Sequence, residues 1–131
     1  MATRLDVVGM VVEDMGRAVE FYGELGLEFP DGAAEQGHVE VDLPGGLRFA
    51  LDTVEEIHKF DPEWAAASGG ANRMGFAFLA ESPAEVDATY ERLTSLGYEG
   101  EREPWDAFWG QRYASVKDPD GNGVDLFCPL S

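Results

Sequence analysis

Positive charge is scarce in this sequence. Nine Lys and Arg stand against 26 Asp and Glu, for a net charge of −17. A surface of that sign repels nucleic acid and anionic membranes, so neither is expected as a partner. It attracts cations. Two readings of the acidity stand side by side: a solvated surface that suits solubility or a salty habitat, and a surface that meets a cationic ligand. Only the placement of the acids separates them. Cysteine is almost absent. Cys128 alone cannot form an intramolecular disulfide, and in a strand it reads as a small buried hydrophobe. No apolar run reaches the roughly 18 residues that cross a bilayer. The first residues carry one Arg and no apolar core, so no secretion signal is read there and a cytoplasmic protein is expected. Histidine is limited to His38 and His58, and no Ser-His-Asp or Cys-His arrangement is supported by spacing.

What is present is an ordinary hydrophobic share, 44% of 131 residues, enough for one domain with a real core. Residues 5–12 are Val-rich and read as a strand buried on both faces. Asp14 is placed to cap a helix on which Met15, Ala18, Val19, Tyr22 and Leu25 recur at helical spacing, with Gly26 as its stop. Residues 27–29 suit a short strand. Residues 38–43 alternate, with Val39, Val41 and Leu43 opposite His38, Glu40 and Asp42. Pro44-Gly45-Gly46 turns the chain, and residues 47–52 alternate again, with Leu47, Phe49 and Leu51 opposite Arg48, Ala50 and Asp52. Residues 53–73 are less regular. They read as a connector, with a helical turn from Trp64 to Ala67 and a flexible Ser68-Gly69-Gly70 joint.

The order then repeats. Residues 74–80 are an apolar strand. Ser82, Pro83 and Glu85 start a helix as cap, first helical residue and capping-box partner. Val86, Tyr90 and Leu93 carry its apolar stripe and Gly97 stops it. A short strand follows at residues 98–101, then a loop holding Trp105, Phe108 and Trp109. Asp118-Pro119-Asp120-Gly121-Asn122 turns a final hairpin. Strand, helix, short strand and two longer strands thus occur twice, at 5–52 and 74–128, joined by 53–73 within a single domain spanning 1–131. Such a repeat outranks any single-element assignment. The class expected is α+β: two βαβββ modules forming a curved mixed sheet, a cup, with helices on the outer face.

These residues resemble the vicinal-oxygen-chelate superfamily, which includes glyoxalase I, bleomycin-resistance proteins and extradiol dioxygenases. The matching text is Leu5-Asp6-Val7-Val8-Gly9 with Glu13-Asp14-Met15, then Ala18-Val19-Glu20-Phe21-Tyr22 with Leu25-Gly26-Leu27. In the second half it is Phe76-Ala77-Phe78, Val86-Asp87-Ala88, Leu93 with Leu96-Gly97, Trp109-Gly110-Gln111-Arg112 and Asp118-Pro119-Asp120-Gly121-Asn122. The resemblance covers nearly the whole chain and implies paired βαβββ modules, usually in a homodimer. It also implies a divalent metal in the cup of the enzymes. The usual ligand positions fall on Val7 and Gly75 in the first strands, on Asp125 in the last strand, and near Arg48 when the two hairpins are aligned. Val and Gly offer no side-chain donor and Arg brings positive charge. One carboxylate is too few for a tight Zn²⁺, Fe²⁺ or Mg²⁺ site, so no metal and no cofactor is expected. Without the metal, glyoxalase or dioxygenase chemistry lacks its Lewis acid.

If the apolar face of each strand packs on the helices, the other face lines the cup. The ligand-binding candidates are then Glu40, Asp42, Arg48, Asp125 and His38, with Phe108 and Trp109 at the rim and Trp105 and Trp64 as further candidates there. Val7, Gly75, Ala77 and Phe127 share that lining face. Acids with aromatics suit a planar or cationic guest. The members this chain most resembles are metal-free drug-binding proteins that sequester bleomycin-like or mitomycin-like antibiotics as homodimers. Binding of a cationic or aromatic small molecule without turnover is the expectation. A metal-dependent lyase, isomerase or dioxygenase with displaced ligands is the alternative, and a protein-binding module with a collapsed cup is a third. Plainer roles stand beside these: Trp105 and Trp109 covering a sheet edge or a dimer interface, Asp125 pairing with Arg48 or Arg112, and Glu40 and Asp42 facing solvent.

Overall fold

The Val-rich run at the start forms β1 (Val7–Val12), and the segment after it becomes helix because Asp14 caps it. The Asp14 carboxylate accepts the Arg17 backbone N–H at 3.0 Å and opens α1 (Met15–Glu24). Met15, Ala18, Phe21 and Tyr22 are the buried stripe of α1. Gly26 ends the helix with φ at 98°, which lets the Leu27 N–H reach back to the Tyr22 carbonyl. A single 3-10 turn (Ala33–Glu35) precedes β2 (His38–Asp42) and β3 (Arg48–Thr53). These strands form a sheet in the order β1-β3-β2, with β1 parallel and β2 antiparallel to β3. The computed structural model describes residues 4–65 and 74–131. The chain divides into two compact units, Met1–Ala67 and Ser68–Ser131.

Register sorts each strand by face. In the first unit Val39, Val41, Phe49 and Leu51 are buried beneath α1, with Tyr22 edge-on to Phe49 at 5.3 Å. Full burial of residues such as Phe21, Tyr22 and Leu51 stabilises the unit by about 1.5–3 kcal/mol each. The second unit runs β4 (Gly75–Leu79), α3 (Pro83–Ser95), β5 (Gly100–Ala107), β6 (Gln111–Lys117) and β7 (Gly123–Pro129), in the sheet order β4-β7-β6-β5. Ser82 caps α3 and Pro83 occupies its first turn, as the sequence indicates. Val86 and Leu93 of α3 are buried, as are Ala114, Val116, Val124, Leu126 and Cys128 of β6 and β7. Arg112 ties this sheet to the helix through two bonds to Asp87, at 2.8 and 2.9 Å.

Four expectations change. The first strand is not buried on both faces: Val7 and Gly9 are exposed, and burial is complete at Val12 alone. Residues 27–29 pair with no strand, so among the described residues the first unit has three strands where the second has four. Trp105 lies in β5 and not in a loop, because that strand is longer than residues 98–101 and tolerates Pro104 at a sheet edge. The connector begins with a helix, α2 (Val54–His58), capped by the Thr53 hydroxyl, which accepts the Glu56 N–H at 3.1 Å. The Ser68-Gly69-Gly70 joint and the second half of the turn expected from Trp64 to Ala67 lie outside the described residues, and no helix is formed at Trp64 and Ala65.

The Asp-Pro-Asp-Gly-Asn turn is held by its first residue. Asp118 is 5% exposed and its carboxylate accepts the N–H groups of Asp120 and Asn122 at 2.9 and 2.8 Å and the Asn122 side-chain amide at 2.9 Å. Asp118→Ala would leave these donors without their acceptor, and a loss of about 2–3 kcal/mol is expected in urea unfolding. A loss below about 0.5 kcal/mol would mean that the turn holds without it.

Candidate functional site

The face of the second sheet opposite α3 carries Asp125 between two neutral hydroxyls. Ser115 stands directly opposite it across β6 and β7, and Tyr113 stands opposite Phe127. The Ser115 hydroxyl donates to Oδ1 of Asp125 at 2.7 Å, and the Tyr113 hydroxyl donates to Oδ2 at 2.6 Å. Burial, together with this bond to a carboxylate, pushes the Tyr113 phenol up to about 12, so it remains a donor at neutral pH. No cation pairs with Asp125 among the described residues. Arg112 is held by Asp87 and Asp106, and Arg48 by Asp6 and Glu40, which removes the two structural pairings weighed from sequence.

Beside Asp125 runs a wall of rings. Trp109 is edge-on to Trp105, Phe108 and Tyr113, with centroids at 5.5, 5.0 and 5.2 Å, and Tyr113 continues to Phe127 at 6.4 Å. The Trp109 indole N–H donates to Oε1 of Gln111 at 2.8 Å. Trp109 is therefore fixed, yet it stays 48% exposed. The Arg102 guanidinium sits 4.0 Å from the Trp105 centroid, a cation already resting on this wall. The Trp105 indole N–H is buried with no partner among the described residues.

The corresponding face of the first sheet is charged. His38, Glu40 and Asp42 on β2 stand opposite Asp52, Ala50 and Arg48 on β3. His38 Nδ1 lies 2.6 Å from Asp52 and its Nε2 lies 2.8 Å from Glu40. Arg48 joins Glu40 at 2.5 Å and Asp6 at 2.7 Å. The result is a chain of alternating charge, Asp52, His38, Glu40, Arg48, Asp6. Two carboxylates on the two ring nitrogens favour the imidazolium, because only that form donates from both, and they raise the His38 pKa. Glu40 moves down, chiefly through His38 and then Arg48. Asp42 takes no part in the chain. Phe108 is 89% exposed and touches the wall only through Trp109. His58 stands apart, with its Nε2 3.0 Å from the Trp64 carbonyl.

Sequence reasoning missed Asp6, Asp52, Tyr113 and Ser115 as neighbours of the candidates. Strand alternation puts Tyr113 and Ser115 on one face with Gln111 and Lys117, and the register of β6 on β7 then sets them beside Asp125. Register also moves one metal-ligand position. Val7 and Gly75 each lie seven residues before a helix cap, Asp14 or Ser82, and Asp125 pairs with Ala77, two residues beyond Gly75. The counterpart in the first unit is two beyond Val7, where Gly9 pairs with Ala50. The position assigned near Arg48 belongs to Ala50, which has no donor. The residues at these places do not form a donor set for a divalent ion, and among the described residues no three His, Cys, Asp or Glu side chains converge into one.

The family model described as the glyoxalase/bleomycin resistance protein/dioxygenase superfamily matches residues 4–126. The chain belongs to this superfamily. No curated protein matches it. Among solved structures, a glyoxalase/bleomycin resistance protein/dioxygenase from Nocardioides is similar at 27% identity and TM-score 0.72, over 100% of this chain and 86% of that one. A superfamily enzyme from Burkholderia phytofirmans PsJN shares the fold at TM-score 0.80 and 16% identity, over 98% and 100% of the two chains. A glyoxalase-related enzyme from Fulvimarina pelagi shares it at TM-score 0.76 and 23% identity, over 95% and 87%. No helix among the described residues is long and apolar enough to cross a membrane.

The charged face of this superfamily member has a pH signature. The raised His38 pKa adds stability that is fully present below the ordinary imidazole value, about 6.5, and is lost as pH rises through the higher folded value. The depressed Glu40 pKa acts in the opposite range, its contribution disappearing as pH falls from about 4.5. Melting of wild type and His38→Gln should therefore differ most near pH 6, and the gap should close towards about pH 9, with the small amplitude of exposed pairs. A gap independent of pH would show that His38 is not held as the imidazolium.

Proposed function

We propose that this chain binds a planar, cationic small molecule against the aromatic wall and Asp125, without a metal, and holds it without making a bond. One observation carries the reading: a half-buried carboxylate oriented by two neutral hydroxyls, with no cation within ion-pair distance among the described residues, Lys117 lying on the same face but unpaired with it. A carboxylate in that setting is hydrogen-bonded but not charge-compensated, and a ligand ammonium or amidinium supplies the missing charge. The rings beside it favour a flat partner, since an indole face attracts both aromatic rings and cations. Tyr113 and Ser115 are the orienting groups and Trp109 the stacking face.

The superfamily's name includes bleomycin resistance, and sequestration of an antibiotic-like aromatic cation suits this arrangement. The reading includes a homodimer, as the resemblance implies, which light scattering would test. Glu40, Arg48 and His38 are engaged with one another, so the ligand charge is assigned to Asp125 ahead of them.

Calorimetric titration with a panel of planar aromatic cations is the direct test. A ligand that binds wild type should lose about 1–3 kcal/mol on Asp125→Asn or Trp109→Ala, with the melting temperature of the free variants near that of wild type. The neutral isostere of a bound cation should bind as weakly to wild type as the cation does to Asp125→Asn. Tight binding unaffected by both substitutions, or turnover of the ligand, would overturn the proposal.

A further inference from the structure

The two sheets end on different kinds of edge. In the second unit the outer strand β5 carries Pro104 and two register shifts, devices that spoil an edge for further pairing. In the first unit the outer strand β2 is regular, five residues long, and contains neither a proline nor a bulge. Two bonds fix the direction of its backbone groups. The Leu43 N–H donates to the Leu47 carbonyl at 2.7 Å, and the Thr53 N–H donates to the Gly37 carbonyl at 2.9 Å. Residues 37, 39, 41 and 43 therefore point their backbone groups towards β3, and His38, Glu40 and Asp42 point theirs outwards. Among the described residues no strand pairs with that side.

Outside this edge lies a groove of about 620 Å³, lined by residues 26–30 on one side and 40–44 on the other. It occupies the place where the expected strand at 27–29 would have paired. Its apolar lining includes Leu27, Phe29 and Leu43, and its charge comes from Glu28, Glu40 and Asp42. Neither Glu28 nor Asp42 has a cationic partner among the described residues.

We propose that this edge docks an extended basic peptide segment, which adds a strand to β2. Unsatisfied backbone donors and acceptors in register supply the main-chain bonds, as in other strand additions. The charge selects the partner. A second copy paired at this edge would set Glu40 and Asp42 against their own kind, whereas alternate Lys or Arg side chains meet Glu28 and Asp42. The acids that keep two copies of this edge from pairing thus admit a basic strand.

The test uses the full chain and the peptide acetyl-Lys-Val-Lys-Val-Lys-amide. Saturable binding is expected, with amide shifts in ¹⁵N spectra concentrated at residues 38–42. The same peptide with its amides N-methylated keeps every charge and should bind about tenfold more weakly or worse, through loss of the main-chain bonds. The version with Glu in place of Lys should not bind. Asp42→Pro removes an outward N–H that β3 does not use and should weaken binding beyond the effect of Asp42→Asn. If Asp42→Pro does not fold, the N-methylated peptide decides on wild type alone. Equal binding of the methylated peptide reduces the contact to bulk charge and overturns the proposal, as does no binding. Self-association lost in Asp42→Pro would assign the edge to a second copy instead and equally overturn it.

Discussion

The second unit depends on a turn whose first residue is buried. Asp118 directs its carboxylate at the backbone of its own turn, and that turn sets how β6 lies on β7. With the register set, Val116 meets Val124 in the core and Ser115 meets Asp125 on the opposite face. A slip of one residue would bury Asp125 and expose the core, because side chains alternate with a period of two. The core and the proposed site are therefore specified by the same constraint, the register that the Asp118 turn sets.

Local chemistry makes much of this fold legible in the sequence. Caps at Asp14 and Ser82, stops at Gly26 and Gly97, and the alternation of the hairpins are enough to state the α+β repeat. Three things are harder. Whether residues 27–29 pair with β2 is a tertiary outcome that no local propensity decides. Trp105 follows a proline and a charged run, which reads as loop, yet a sheet edge accommodates both. The helix α2 announces itself by a capping box from Thr53 to Glu56, which the expectation of an irregular connector overlooks. At the site, Asp125 and Trp109 stand out as a lone acid in a strand and an aromatic in a turn. Their partners Tyr113 and Ser115 depend on the register of a hairpin, and the fate of Arg48 depends on contacts with Asp6, which is 42 residues away.

The two sheet faces show how the same excess of acid is handled in two ways. On the first, carboxylates alternate with His38 and Arg48, so charge is answered from within the chain. On the second, Asp125 is oriented by hydroxyls and has no ion-pair partner among the described residues. Net charge alone does not distinguish these cases. Hydrogen-bond partners do, and the proposed flat cation on Trp109 rests on that difference.

The edge-to-face contact of Trp105 and Trp109 has an optical consequence. Two indoles at 5.5 Å with planes at 88° couple their excited states, and the coupling depends on their mutual orientation. Trp105 belongs to β5 and Trp109 to the turn that follows, so the signal reads the geometry of that hairpin in circular dichroism without any label. A guest that stacks on Trp109 would perturb one member of the couplet, and the wall would thus register its own occupancy.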